Sequence, residues 1–339
     1  MQDQLIFVVS PPRAGSTLLQ RMLGAHPAIF THPEPHLITP LAHLGYHDRV
    51  DAAPYDHINA AEAIRSFVEE LPNGEADYLD ALRAYADTMY GRMLSQAQAQ
   101  DPKLQLFLDK TPAYALVLPF LAKLYPHAKY VVLTRHPLAV FSSYANSFYA
   151  GDWEAAHRFN PVIERYIPAM ARFLDERPVA LSQVAYEHMV AEPESALERL
   201  FAYLGLENDP DAVNYQKSDM KEGMGDPINV QKRSRPEAGG EHKWAEELAA
   251  DSRKRALAEQ MIAKVSDDDL AAWGYTRESL WAPLAAAGGG KAPSSVLNKY
   301  TVQRRVMLAL RKGVNGTSGG QAAVRRLRYY CDVILRDQL

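Results

Sequence analysis

Two hydrophobic patterns alternate along this chain. Leu5 to Val9 is an unbroken apolar, β-branched run closed by Pro11 and Pro12, and Leu104 to Leu108, Lys129 to Leu133 and Val179 to Val184 have the same character. Short apolar runs of this kind predict strands buried on both faces of a parallel sheet. Between them the apolar period becomes helical: Leu18, Leu19, Met22 and Leu23 follow the first run, Ala113 to Tyr125 the second, a segment carrying Ser142, Ser143 and Ser147 the third, and Glu194 to Leu204 the fourth. Strands alternating with helices at these lengths predict right-handed crossovers and an α/β fold. From about Ala60 to Gln100 the spacing is helical throughout, with a Pro72-Asn73-Gly74 turn between two helices, so a helical cap is expected over 60–100. Three prolines between His26 and His36 forbid a helix there and predict an irregular connection.

The second half reads differently. Gln216 to Gly240 is polar, rich in Gly, Pro, Lys and Arg, and without a period, which predicts a lid loop over 216–240. Helices resume around Trp244 to Lys264. Gly288-Gly289-Gly290 marks a flexible linker at 285–295, followed by two basic amphipathic helix candidates within 296–339. The expected organisation is a domain over 1–284, that linker, and a basic C-terminal helical extension.

Composition changes this picture at three points. With 339 residues, 47% of them hydrophobic, the chain can bury a full α/β core. The first strand begins so near Met1 that no signal peptide fits, no apolar run approaches the length of a membrane span, and Cys331 is the single cysteine, so a cytoplasmic protein without disulfides or a metal site is expected. The net charge of −4 conceals a balance of +8 from Lys291 onward, which leaves −12 on the body. An acidic body with a basic tail argues for two functional units and against nucleic-acid binding by the whole chain.

The candidate chemistry begins where the first strand hands over to the first helix, at Arg13-Ala14-Gly15-Ser16-Thr17. Strand, small-residue turn and helix N-terminus together aim backbone N–H groups and the positive end of a helix dipole at one point, a site for an anion. A Walker loop would place Lys before the hydroxyl residue to reach the phosphates. Here that lysine is missing and the cation is Arg13, two residues ahead of Gly15. A second anion site is predicted at the end of the third apolar run, where Arg135 and Ser143, eight residues apart, can converge on one phosphate. Glu34 and His36 follow the first helix and are expected near the carboxyl edge of the sheet, where ligands of open α/β folds bind.

These segments resemble the sulfotransferases that use 3′-phosphoadenosine 5′-phosphosulfate (PAPS), leaving 3′-phosphoadenosine 5′-phosphate (PAP) as product. Arg13, Gly15, Ser16 and Thr17 match that family's 5′-phosphosulfate loop, and Arg135 with Ser143 match its 3′-phosphate site. The resemblance runs from about Leu5 to Trp244 and is closest to bacterial members, among them those of polyketide-synthase lines, and to the tyrosyl-protein type. It implies a P-loop-type parallel sheet flanked by helices and sulfuryl transfer, without metal, to a small-molecule, lipid-like or carrier-bound hydroxyl. It also implies Glu34 as base, Lys110 of Asp-Lys-Thr-Pro stabilising the leaving group, and Tyr186 beside the adenosine. By their chemistry alone, the imidazole of His36 is the other choice of base, Arg13 can add positive charge at the leaving group, and Tyr186 can equally be half-buried in the core. Lys232, Arg233 and Ser234 could close over the donor, and a solvated basic loop explains them equally. Two departures stand out: Ala14 replaces a common serine, and Lys232-Arg233 stand where a histidine is usual.

Two other readings are open at this point. A Mg²⁺-dependent P-loop kinase of small molecules would use Asp109, at the end of an apolar strand, as its acid and Thr17 as a metal ligand. A non-catalytic docking protein would use the basic tail, whose arginines alternate with apolar residues as in helices that meet an acidic carrier protein or an anionic membrane. A helical extension packed on the domain, or on a second subunit of a homo-oligomer, is the plainer expectation for that tail.

Overall fold

The computed structural model describes residues 1–42, 57–215, 234–236 and 241–287. Lys232, Arg233, most of 216–240, the tail 296–339 and all but the first residues of the linker lie outside the described residues.

Five parallel strands form the centre: β1 (Leu5–Val9), β2 (Ile29–Pro33), β3 (Leu106–Lys110), β4 (Lys129–Thr134) and β5 (Leu181–Ala185), in the spatial order β2-β3-β1-β4-β5. All five residues of β1 are buried, as expected of a strand covered on both faces. Register follows from that burial. Phe7 pairs with Asp109 and Tyr130 across the two neighbouring strands, so these side chains share one face, and Val8 pairs with Lys110 and Val131 on the other.

On the Phe7 face the rings of Tyr90, Tyr114, Tyr125 and Tyr130 surround Phe7 at centroid distances of 5.5–6.5 Å. The helices covering this face include α4 (Glu75–Gln98), α5 (Leu118–Leu124) and α8 (Val162–Glu176). The opposite face carries α1 (Ser16–Leu23) and α10 (Pro193–Leu204), where His26 packs against Phe201 with tilted rings 4.7 Å apart. The expected cap is α3 (His57–Glu69) with α4, divided at Pro72 to Gly74. α4 buries Leu79, Leu82, Ala86, Tyr90 and Leu94, which makes it a wall of the main core.

Two expectations need correction. The proline-rich segment after α1 contains β2, not an irregular connection: Ile29–Pro33 pairs with the full length of β3 at the edge of the sheet, where Pro33 closes the strand and its missing N–H matters least. β3 also reaches two residues further than its apolar run, so Asp109 and Lys110 lie in the strand and not beyond it.

The chain leaves β1 toward β2 and β3 and leaves β4 toward β5, so the crossovers diverge between β1 and β4. Crevices outside the carboxyl ends of strands at such a point are where open α/β sheets hold ligands.

Candidate active site

The loop between β1 and α1 sits at this divergence. Gly15 is the N-cap of α1 with φ of 99°, in the left-handed region, and no side chain caps the helix. A Cβ at Gly15 would lie 2.5 Å from Cδ2 of Tyr186, so only glycine admits this ring. Ala14 and Ser16 are buried, while Thr17 is half-buried with its hydroxyl 3.4 Å from Nζ of Lys110. The first N–H groups of a helix have no intrahelical acceptor, and α1 begins at Ser16, just past the carboxyl end of β1. Arg13 has φ of 69° and His36 φ of 52°, two of only four non-glycine residues with positive φ among those described. Such strain persists where surrounding structure fixes it, and it concentrates at functional sites.

Arg13 and Arg135 are neighbours. Nη1 of Arg135 donates to the carbonyl oxygen of Arg13 at 3.0 Å, and Nε of Arg13 donates to Oγ of Ser143 at 3.3 Å. The pairing differs in detail from expectation, since Ser143 meets Arg13 directly and joins Arg135 only through it. Arg135 lies over Tyr186, its guanidinium carbon 4.1 Å from the ring centroid, while Tyr186 in turn packs on the core. The tyrosine thus supports an arginine from a half-buried position. Nε of Arg135 is buried and has no hydrogen-bond partner.

At the other end, β3 delivers Lys110 and the segment after β2 delivers Glu34 and His36. Lys110 is 1% exposed, and Nζ donates to Oε1 of Glu34, whose Oε2 faces Nε2 of His36 at 3.6 Å. Burial holds the Lys110 pKa below the usual lysine range, and the nearby Glu34 carboxylate limits the fall. Neighbouring Asp109 points to the opposite face, where it accepts from Tyr90 (2.6 Å), Tyr114 (2.9 Å) and Thr111 (2.9 Å). Its carboxyl is raised above the usual range by burial, against the pull of those donors. The acid that a P-loop kinase would need thus spends its oxygens on hydroxyls, away from Thr17.

Sequence reasoning brought together Arg13, Ala14, Gly15, Ser16, Thr17, Glu34, His36, Lys110, Arg135, Ser143 and Tyr186, and all eleven lie along one edge. Ser234 is exposed. What sequence reasoning missed is Tyr114 and Tyr90, whose hydroxyls hold Asp109. No spacing marks them, because they meet it from a 3-10 turn (Pro112–Leu116) and from α4.

Comparison with known proteins settles the family. The family model described as "Sulfotransferase family" matches residues 5–211. The chain belongs to the sulfotransferase family. Among its relatives, nodulation protein NoeE of Sinorhizobium fredii is 29% identical over 224 residues, covering 60% of this chain and 50% of that protein. Protein-tyrosine sulfotransferase A of Caenorhabditis elegans is 21% identical over 224 residues, covering 62% and 52% respectively. This sulfotransferase family member therefore spans about half the length of these two relatives. A solved sulfotransferase domain from a Synechococcus olefin synthase covers 76% of this chain and 94% of its own at 26% identity, with a TM-score of 0.48. No helix among the described residues is long and apolar enough to cross a membrane.

Proposed function

We propose that this chain transfers a sulfuryl group from PAPS to a hydroxyl of a small-molecule, lipid-like or carrier-bound acceptor. The observation that carries the proposal is the contact between Arg135 and the carbonyl of Arg13, which brings the two arginines together at the sheet's divergence point. The residues fit a bis-phosphorylated nucleotide. Arg135 keeps a buried Nε without a partner, and α1 presents an N-terminus that no side chain caps. Arg13, the N–H groups of Gly15 to Thr17 and Lys110 would hold the 5′ end, while Arg135 and Ser143, with Tyr186 beneath the arginine, would hold the 3′-phosphate.

When bound, PAPS supplies an activated sulfuryl group on a phosphate that leaves as an anion. Lys110 and Arg13 bring positive charge to the place where that negative charge grows. Glu34 accepts the proton of the acceptor hydroxyl, with Lys110 fixing Oε1 and leaving Oε2 toward His36 and solvent. His36, 39% exposed on its side chain, is placed to pass the proton outward. Contact with an acidic carrier protein or an anionic membrane through the tail belongs to residues outside those described and is read from their sequence alone.

Thermal unfolding tests the proposal. PAP should raise the melting temperature, while ATP with Mg²⁺ at equal concentration should leave it unchanged. The converse result would turn the assignment to a kinase.

A further inference from the structure

We propose that Tyr114 is a positioning residue that holds the Glu34–His36 segment in register with Lys110, by tethering it to buried Asp109. The inference rests on the reading of Glu34 as base. Tyr114 is fully buried, and its hydroxyl is used twice: it donates to Oδ2 of Asp109 at 2.9 Å and accepts the backbone N–H of Ile38 at 3.1 Å. A phenol has one proton, so the two roles define each other. Oxygen can receive Ile38 only with its own hydrogen turned to the carboxylate. Burial and the nearby Asp109 push this phenol far above the usual tyrosine range, which keeps that hydrogen in place at any working pH.

Ile38 opens a short helix, α2 (Ile38–Ala42), and its N–H is one of those that a helix cannot satisfy internally. Between Glu34 and Ile38 the backbone passes through His36 at φ of 52°, an uncommon left-handed conformation for a non-glycine residue. Two anchors bracket the bend: the Glu34–Lys110 ion pair before it and the Tyr114 bond after it. Both run to adjacent residues of β3, since Asp109 receives Tyr114 on one face and Lys110 reaches Glu34 on the other. A single strand end therefore fixes both ends of the segment that carries the base. Asp109 is a wholly buried carboxylate whose hydrogen-bond donors among the described residues are three hydroxyls, an arrangement costly for stability alone and useful where a backbone must be held.

Tyr90 provides the nearest control. It donates to the same Oδ2 at 2.6 Å from α4 and its hydroxyl also meets that of Tyr114, but among the described residues it makes no bond to the Ile38 segment. Tyr114→Phe should lower kcat at least ~10-fold with the KM for PAPS and the affinity for PAP unchanged within ~2-fold, the signature of a misplaced base with donor binding intact. Tyr90→Phe should leave kcat within ~3-fold. Hydrogen exchange at the Ile38 amide should speed up in Tyr114→Phe and not in Tyr90→Phe, whether or not the chain shows activity. If Tyr114→Phe folds too poorly for kinetics, Ile38→Pro removes the same bond from the other side at a helix position that tolerates proline, and must give the same split between kcat and PAP affinity. Equal kcat in the two Tyr→Phe variants, or unchanged exchange at Ile38, overturns the tether. Failure of the unaltered protein to bind PAP overturns the assigned reaction instead, and the exchange measurement then still decides the tether by itself.

Discussion

At the scale of single residues, the site is set by what burial does to a few ionisable groups. Lys110 is nearly sealed from solvent and its ammonium is easier to deprotonate than an ordinary lysine's. Transfer activity should therefore fall on the alkaline side at a pH below the ordinary lysine range, and a kcat profile against pH measures it. Glu34→Gln keeps the shape but not the basicity. It should cost ~10²-fold or more in kcat with PAP binding retained, as removal of a general base does. His136 shows the same physics in a purely structural role. It is buried and stacked on Trp244 at 4.3 Å, with Nε2 2.9 Å from the carbonyl oxygen of Leu280 and Nδ1 unpartnered. Since a carbonyl can only accept, Nε2 carries the proton and a second proton would be buried on Nδ1. Burial is the main cause of a pKa lowered to about 4, with His242 and Arg135 adding repulsion. The unfolded chain takes up that proton near the ordinary value of 6.5 and the folded one does not, so stability is full above about pH 6.5 and drains as the pH falls toward 4, by about 3 kcal/mol from this residue. Urea midpoints at several pH values should show this slope, and His136→Gln, which can still donate to Leu280, should flatten it.

At the scale of elements, β1, β4 and the loop at Arg13 were legible because a strand buried on both faces leaves an unbroken apolar run and a tight turn from a strand into a helix N-terminus needs small residues. β2 was not. Its prolines argue against regular structure in general, but as an edge strand it needs a partner on one side only, and Thr31 and His32 give it no apolar run to recognise. The far end of β3 was hidden for the opposite reason, since Asp109 and Lys110 are charged residues in a buried strand, a combination that only the hydroxyls and Glu34 around them make possible. α11 (Lys243–Ala250) was foreseen as a helix but not for what it holds. Its Glu247 is buried and accepts from Ser142 at 3.1 Å and from Trp153 at 3.2 Å, besides contacts from Asn146 and Lys254, which links α11 to α6 (Pro137–Tyr149), α7 (Trp153–Phe159) and α12 (Ser252–Ala263). Ser142 directly precedes the Ser143 that Arg13 grips. Glu247→Ala strands several buried donors at once and should destabilise the fold by ~3 kcal/mol or more, read from urea unfolding.

At the scale of the whole molecule, the strand order turns a scattered set of residues into a line. Across the sheet, the strand ends bring Glu34, Lys110, the Arg13 loop, Arg135 and Tyr186 to one edge, one strand after another in the order β2-β3-β1-β4-β5. Nothing in the chain order predicts that sequence, because it depends on which side of β1 each crossover falls. With strands ~4.8 Å apart, the ends of β3 and β4 stand ~10 Å from each other, so the proposed transfer pole and 3′-phosphate pole are separate places on one ligand. Separate poles can be weakened separately. Arg135→Ala removes a charged donor from the second pole, and a hydrogen bond to a charged group is worth ~1.5–3 kcal/mol, so PAP affinity should drop ~10- to 100-fold. Affinity for 5′-AMP, which has no 3′-phosphate, should stay within ~2-fold. Arg135 also steadies the Arg13 carbonyl, and 5′-AMP reports on that too: a parallel loss of both ligands in calorimetry would mean that the arginine supports the loop instead of binding phosphate, and the two-pole site would have to be abandoned.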